Sequence, residues 1–192
     1  MHGPFVFTVY ETHARICLEA NDLLEFGSCL SVLLSAYEEA SEADRQGSHP
    51  PEFYGYAILR ALLENTPKGT LSPRHLTRRL ASHMAFSQVV VELLKKIGAA
   101  NVQSPQVQHA LAVAKAGMTL RSLGISHGLT LSCFSHLVQN GDYHKFFRLY
   151  DSTPDMGPFL IDHMLDPMRN KAVSIMLKAH AASFSFRFVL WF

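Results

Sequence analysis

Gly124, Ile125, Ser126, His127 and Gly128 spell G-x-S-x-G, the pattern that in a hydrolase sets a serine hydroxyl on a strained strand-to-helix turn. Asp142 or Asp162, then His163 or His180, follow in the chain order of such a triad. The chemistry also requires a parallel sheet feeding the turn and backbone N–H groups forming an oxyanion hole. The flanks here are helical in pattern, so a small serine hydrolase using Ser126 is one alternative reading, a fragment inactive by itself is the other, and neither is the favoured one. Eleven histidines raise the question of a metal, but no two of them sit four apart, and His13, His109, His144 and His180 fall on different predicted helices. The sequence therefore assigns no catalytic residue, no metal ligand and no cofactor.

Cys17, Cys29 and Cys133 are odd in number and lack C-x-x-C spacing. They read as buried thiols of a reducing compartment, with a Cys17–Cys29 disulfide as the alternative. Arg74, Arg78 and Arg79 with Lys95 and Lys96 form the candidate nucleic-acid-binding stripe, since helix-spaced cations can follow a phosphate backbone. Against that use, 17 basic residues face 16 acidic ones for a net charge of +1, a balance that favours a solvated helix face. The aromatics from Tyr143 to Tyr150 offer stacking platforms, but at helical spacing they read as core.

These residues must be positioned by helices. From Leu23 the apolar residues fall at Leu23, Phe26, Leu30, Leu33 and Tyr37, one face of a buried helix. Asp22 is its N-cap, with Glu25 in capping-box position. Tyr10, Ala14, Cys17 and Leu18 share a face of the helix before it, and only Ala20 and Asn21 separate the two. The unit is an antiparallel helical hairpin. Residues 38–51 show no apolar period and form a loop. A helix from about Glu52 to Asn65 is apolar almost all round and belongs in the middle of a stack. Ser72-Pro73 and Ser104-Pro105 each open a further helix, and Gly98 ends the pattern of Val89 to Lys96. Gly141-Asp142 repeats the Asn21-Asp22 device before the aromatic helix. Phe159 to Met164 and Met168 to Ala179 read as two final short helices, with Ala172, Ile175 and Met176 inward. No stretch approaches the length of a membrane span, and Phe5 to Val9 is too short for a signal peptide.

The run from Tyr10 through Glu19, followed by Asp22 to Phe26, closely resembles the signature of the germinal-centre-associated nuclear protein (GANP) family. The resemblance resumes at Glu52, Phe53, Tyr56, Ile58 and Leu59, at Val107 to Ala114, and at Gly141 to Tyr150. It is nearest the branch typified by leukocyte receptor cluster member eight. The resemblance implies an all-α fold of stacked helical hairpins, a right-handed superhelix of the kind seen in TPR and PCI domains. It also implies a non-catalytic scaffold in a nuclear complex for mRNA processing, transcription-coupled splicing or mRNA export. The implied partners are protein subunits of a PCI-type complex and RNA. A small acidic proteasome-lid-type subunit joins them where a winged helix is present, and no membrane is involved.

The domain expected is 1–181, interrupted by an insertion at 117–138, where three glycines break the helical period. A divergent apolar tail, 182–192, reads as a short strand where the family would begin its winged helix. A stripe used for phosphate contact makes the charge reversals Arg78→Glu and Arg79→Glu together weaken RNA binding and flatten its salt dependence. Unchanged affinity and salt slope in a filter-binding titration would remove these residues from RNA contact.

Overall fold

α1 (Pro4–Glu19) and α2 (Leu23–Glu39) form the expected hairpin, and the three residues between them do two jobs. Asn21 sits at φ +57°, a left-handed conformation that asparagine tolerates better than most side chains. The Asn21 N–H donates to the Leu18 carbonyl at 3.1 Å and the Asp22 N–H to the Cys17 carbonyl at 2.9 Å, the paired closure of a Schellman motif. Asp22 Oδ1 then accepts from the N–H groups of Leu24 at 3.2 Å and Glu25 at 3.0 Å, capping α2. The expected capping box is only half formed. Because the Asp22 N–H is spent on Cys17, Glu25 has no donor to reach back to, and its Oε1 stands 4.0 Å from Cys29 Sγ.

In this computed structural model the described residues are 4–41, 44–64, 88–117 and 143–179. The helix expected after Ser72, the G-x-S-x-G segment, the Gly141-Asp142 turn and the apolar tail all lie outside them. After α2 the chain is clasped by Arg45, whose guanidinium donates to the Tyr37 carbonyl and, at 2.8 Å, to that of Ala40. A cation at the last turn satisfies carbonyls that the helix itself leaves free.

α3 (Pro50–Glu64) is buried nearly all round, through Phe53, Tyr54, Tyr56, Ala57, Ile58, Leu59, Ala61 and Leu62. Its position is central, packed against α2, α5 (Pro105–Gly117) and α7 (Gly157–Ala179). Gly55 permits a close approach to α5, since a Cβ there would lie 3.2 Å from the Gln106 carbonyl oxygen. Residues 88–97 form α4, which turns Val90 and Ile97 inward and ends at Gly98, φ +76°. A single helical turn, Ala99–Val102, leads to α5, which buries Val107, Ala110, Val113 and Ala114.

α6 (Tyr143–Asp151) buries Phe146 fully and leaves Tyr143, Phe147, Leu149 and Tyr150 half-buried, so its aromatics are core and flank. The last segment corrects the expectation of two short helices: α7 runs unbroken through Pro167. Proline removes one backbone donor, but Pro167 is on the exposed side, where water can serve the freed carbonyl. Meanwhile Leu160, Ile161, Met164, Met168, Ala172 and Met176 stay buried at helical spacing across it. The described residues are all-α, a stack of helical hairpins without a strand.

Replacing Phe146 by Ala is expected to cost about 3–5 kcal/mol, the usual range for an emptied aromatic site. Urea unfolding measures it, and a loss below about 1 kcal/mol would place the ring outside the core.

Candidate functional site

Two carboxylates lie in the core: Glu11 is 3% exposed and Glu52 is 7% exposed. A buried charge without partners costs several kcal/mol, so the partners decide what these acids are for. Arg15, one turn after Glu11 on α1, forks onto Glu52 of α3, with Nε 3.0 Å from Oε1 and Nη2 2.6 Å from Oε2. Its Nη2 is also 3.7 Å from Glu11 Oε2, and its guanidinium stands 5.2 Å over the Phe53 ring. The Glu52 carboxylate holds the guanidinium's pKa above its ordinary value.

Glu11 Oε1 accepts from the Tyr37 hydroxyl of α2 at 2.7 Å and from the His49 N–H at 2.8 Å, while Oε2 is 3.2 Å from His49 Nδ1. Glu52 Oε1 accepts from the Tyr56 hydroxyl at 2.8 Å, and that same hydroxyl accepts the Met156 N–H at 2.9 Å. One network therefore joins α1, α2, α3, the loop before α3 and the turn before α7. Burial, then the neighbouring carboxylate, pushes both phenols well above the usual range. Both Glu52 oxygens and Glu11 Oε1 accept hydrogen bonds from within the protein, and Glu11 Oε2 faces the Arg15 guanidinium and the His49 ring, which suits the network to holding helices together.

The sequence-predicted residues fall elsewhere. Lys95 pairs with Glu92 and Lys96 with Glu38, each at 2.8 Å; Arg74, Arg78 and Arg79 lie outside the described residues, as do Ser126, Asp142 and His180. Asp162 accepts from the Tyr150 hydroxyl at 2.6 Å, joining α7 to α6, and His163 Nε2 is 2.8 Å from Asn21 Oδ1, joining α7 to the α1–α2 corner. His109 Nε2 likewise lies 2.9 Å from the Leu149 carbonyl, between α5 and α6. Cys17 and Cys29 are buried free thiols, as expected, and desolvation raises the pKa of both, Cys29 to about 11. What the sequence reading missed is that His13 joins them, its Nδ1 3.2 Å from Cys29 Sγ. The signal was present as His13-x3-Cys17 and Glu25-x3-Cys29, two one-turn spacings hidden from a search for paired histidines.

The sequence profile of the SAC3/GANP family matches residues 11–189. The chain belongs to the SAC3/GANP family. It is 30% identical to SAC3 family protein A of Arabidopsis thaliana over 93% of this chain and 13% of that protein. It is 29% identical to the Leukocyte receptor cluster member 8 homolog of Xenopus laevis over 91% of this chain and 16% of the other. A THP3 homolog of Schizosaccharomyces pombe is also 29% identical, over 98% of this chain and 36% of the relative. The chain thus spans from 13% to 36% of the length of these three proteins. No solved structure matches. Within this SAC3/GANP chain, the two motifs carrying Glu11 and Arg15, and Glu52 and Tyr56, meet in the buried network.

Tyr37 and Tyr56 carry a pH signature. The unfolded chain releases phenol protons near pH 10 while the fold retains them, so their contribution is intact below about pH 10 and declines above it. The slope is about 1.4 kcal/mol per pH unit for each tyrosine. Urea unfolding between about pH 9 and pH 11 should show this loss, and the Tyr37→Phe, Tyr56→Phe double variant should be less stable at neutrality but decline less steeply. Equal slopes for the two proteins would show that these phenols do not govern alkaline stability.

Proposed function

We propose that this chain is a non-catalytic helical scaffold in a nuclear complex acting in mRNA export or processing, and that it works by binding other protein subunits. Membership of the SAC3/GANP family supports the biological setting. The observation that carries the binding reading is an apolar stripe on the outer helix: Phe5 is 77% exposed, with Val9 and Ile16 in line at spacings of four and seven. On α2, Leu24 is 86% exposed. Large apolar side chains gathered on one helix face are what protein contact uses. Stacked helical hairpins suit such contact because each buries its inner face on its neighbours and presents its outer one.

RNA contact through Arg74, Arg78, Arg79, Lys95 and Lys96 is the lesser part of the proposal, since both lysines already face carboxylates. A small acidic proteasome-lid-type subunit stands as a further partner only where a winged helix accompanies this chain.

The test is co-purification of the full chain from nuclear extract, with and without ribonuclease, beside a Phe5→Asp, Ile16→Asp variant. Associated proteins should survive ribonuclease and be lost from the variant, while its thermal unfolding changes little, because neither side chain is buried. Association abolished by ribonuclease, or kept by the variant, would count against protein binding through α1.

A further inference from the structure

His13 and Cys17 stand one turn apart on α1, and Glu25 and Cys29 stand one turn apart on α2. The hairpin is antiparallel, so the two pairs meet across its seam. One donor atom from each of His13, Cys17 and Cys29 lies within 4.8 Å of the other two, and the His13 Nδ1 to Cys29 Sγ separation is 3.2 Å. With Zn–S near 2.3 Å and Zn–N near 2.0–2.1 Å, ligand atoms of a tetrahedral zinc site stand about 3.5–3.8 Å apart. Shifts of about 1 Å at most would bring these three into that geometry.

The surroundings fit as well. Both sulphurs are buried while His13 and Glu25 are exposed, so the cluster has an apolar floor and a side open to solvent. Glu25 Oε1, 4.0 Å from Cys29 Sγ, stands on α2 beside the thiol. Two sulphur donors and an imidazole select zinc over magnesium or calcium, which take oxygen ligands. Nothing in the Glu11–Glu52 network uses these groups.

We propose that His13, Cys17 and Cys29 bind one zinc ion across the α1–α2 hairpin. As the two Zn–S bonds form, each thiol gives its proton to solvent, so binding releases two protons; the imidazole binds through the lone pair of a neutral ring. Because binding releases protons, affinity rises with pH. The ion closes the hairpin at the turns just inside Asn21 and Asp22, stapling a unit that carries the exposed stripe on α1.

Cobalt(II) titration of the full chain in a Cys133→Ser background tests this, because a thiolate-bound tetrahedral cobalt ion has visible bands and only two thiols are then present. The expected result is saturation at one cobalt per chain, displacement by zinc, and loss of the bands in His13→Ala. Since His13 is exposed, that variant keeps its fold, and its circular dichroism confirms it. Absence of the bands, or bands indifferent to His13→Ala, overturns the site. So does formation of a Cys17–Cys29 disulfide, in the presence of zinc, in a mixed glutathione buffer whose oxidised glutathione takes up the two electrons and is released as two reduced molecules, which would make the pair a redox couple instead.

Discussion

The burial of Glu11 and Glu52 is the constraint on which the rest of the structure depends. Two carboxylates inside a helical core are tolerated only if each oxygen is met by a donor, and the donors come from four different parts of the chain. Arg15 must face α3, Tyr37 must face α1, and the backbone of His49 must pass close by. Tyr56 must in turn hold the N–H of Met156. Satisfying the two acids therefore sets the mutual placement of α1, α2 and α3 and anchors the entrance of α7. Arg15 is partly exposed, at 30% of its side chain, so the ion pair lies at the edge of the core, where desolvating the guanidinium costs less than in its middle.

Around that network the hydrophobic packing is ordinary. α3 is apolar on nearly every side and can sit only at the centre, with α1 and α2 on one flank and α5 and α7 against it. The hairpin corner is economical: Asn21 in the left-handed region closes α1, and Asp22 begins α2 without an intervening loop. Such a tight corner fixes the register between the helices. That register is what brings Cys29 opposite His13 and Cys17, and Tyr37 opposite Glu11. The same hairpin thus shows three faces: an ion-paired inner one, a thiol-and-imidazole seam and an apolar outer one.

Much of this was legible in the chain. The spacing of Phe26, Leu30, Leu33 and Tyr37, the Asp22 cap, the all-round apolar α3 and the Gly98 stop follow from local chemistry, and all are present. Two expectations failed for reasons local rules cannot see. The capping box needed the Asp22 N–H, which the Schellman closure had already taken. Two short helices were expected where α7 runs unbroken, but Pro167 faces water and breaks one bond whose carbonyl can be solvated, while burial on both sides of it continues.

By itself, then, the sequence determined the all-α class, the family and the hairpin, because apolar period, caps and motif order are properties of neighbouring residues. Only the tertiary structure decided that Glu11, Arg15, Glu52 and Tyr56 form one network and that His13, Cys17 and Cys29 converge. Nothing within a single helix distinguishes a glutamate destined for an arginine 37 positions away from one destined for water, since the difference is made by the packing of separate helices.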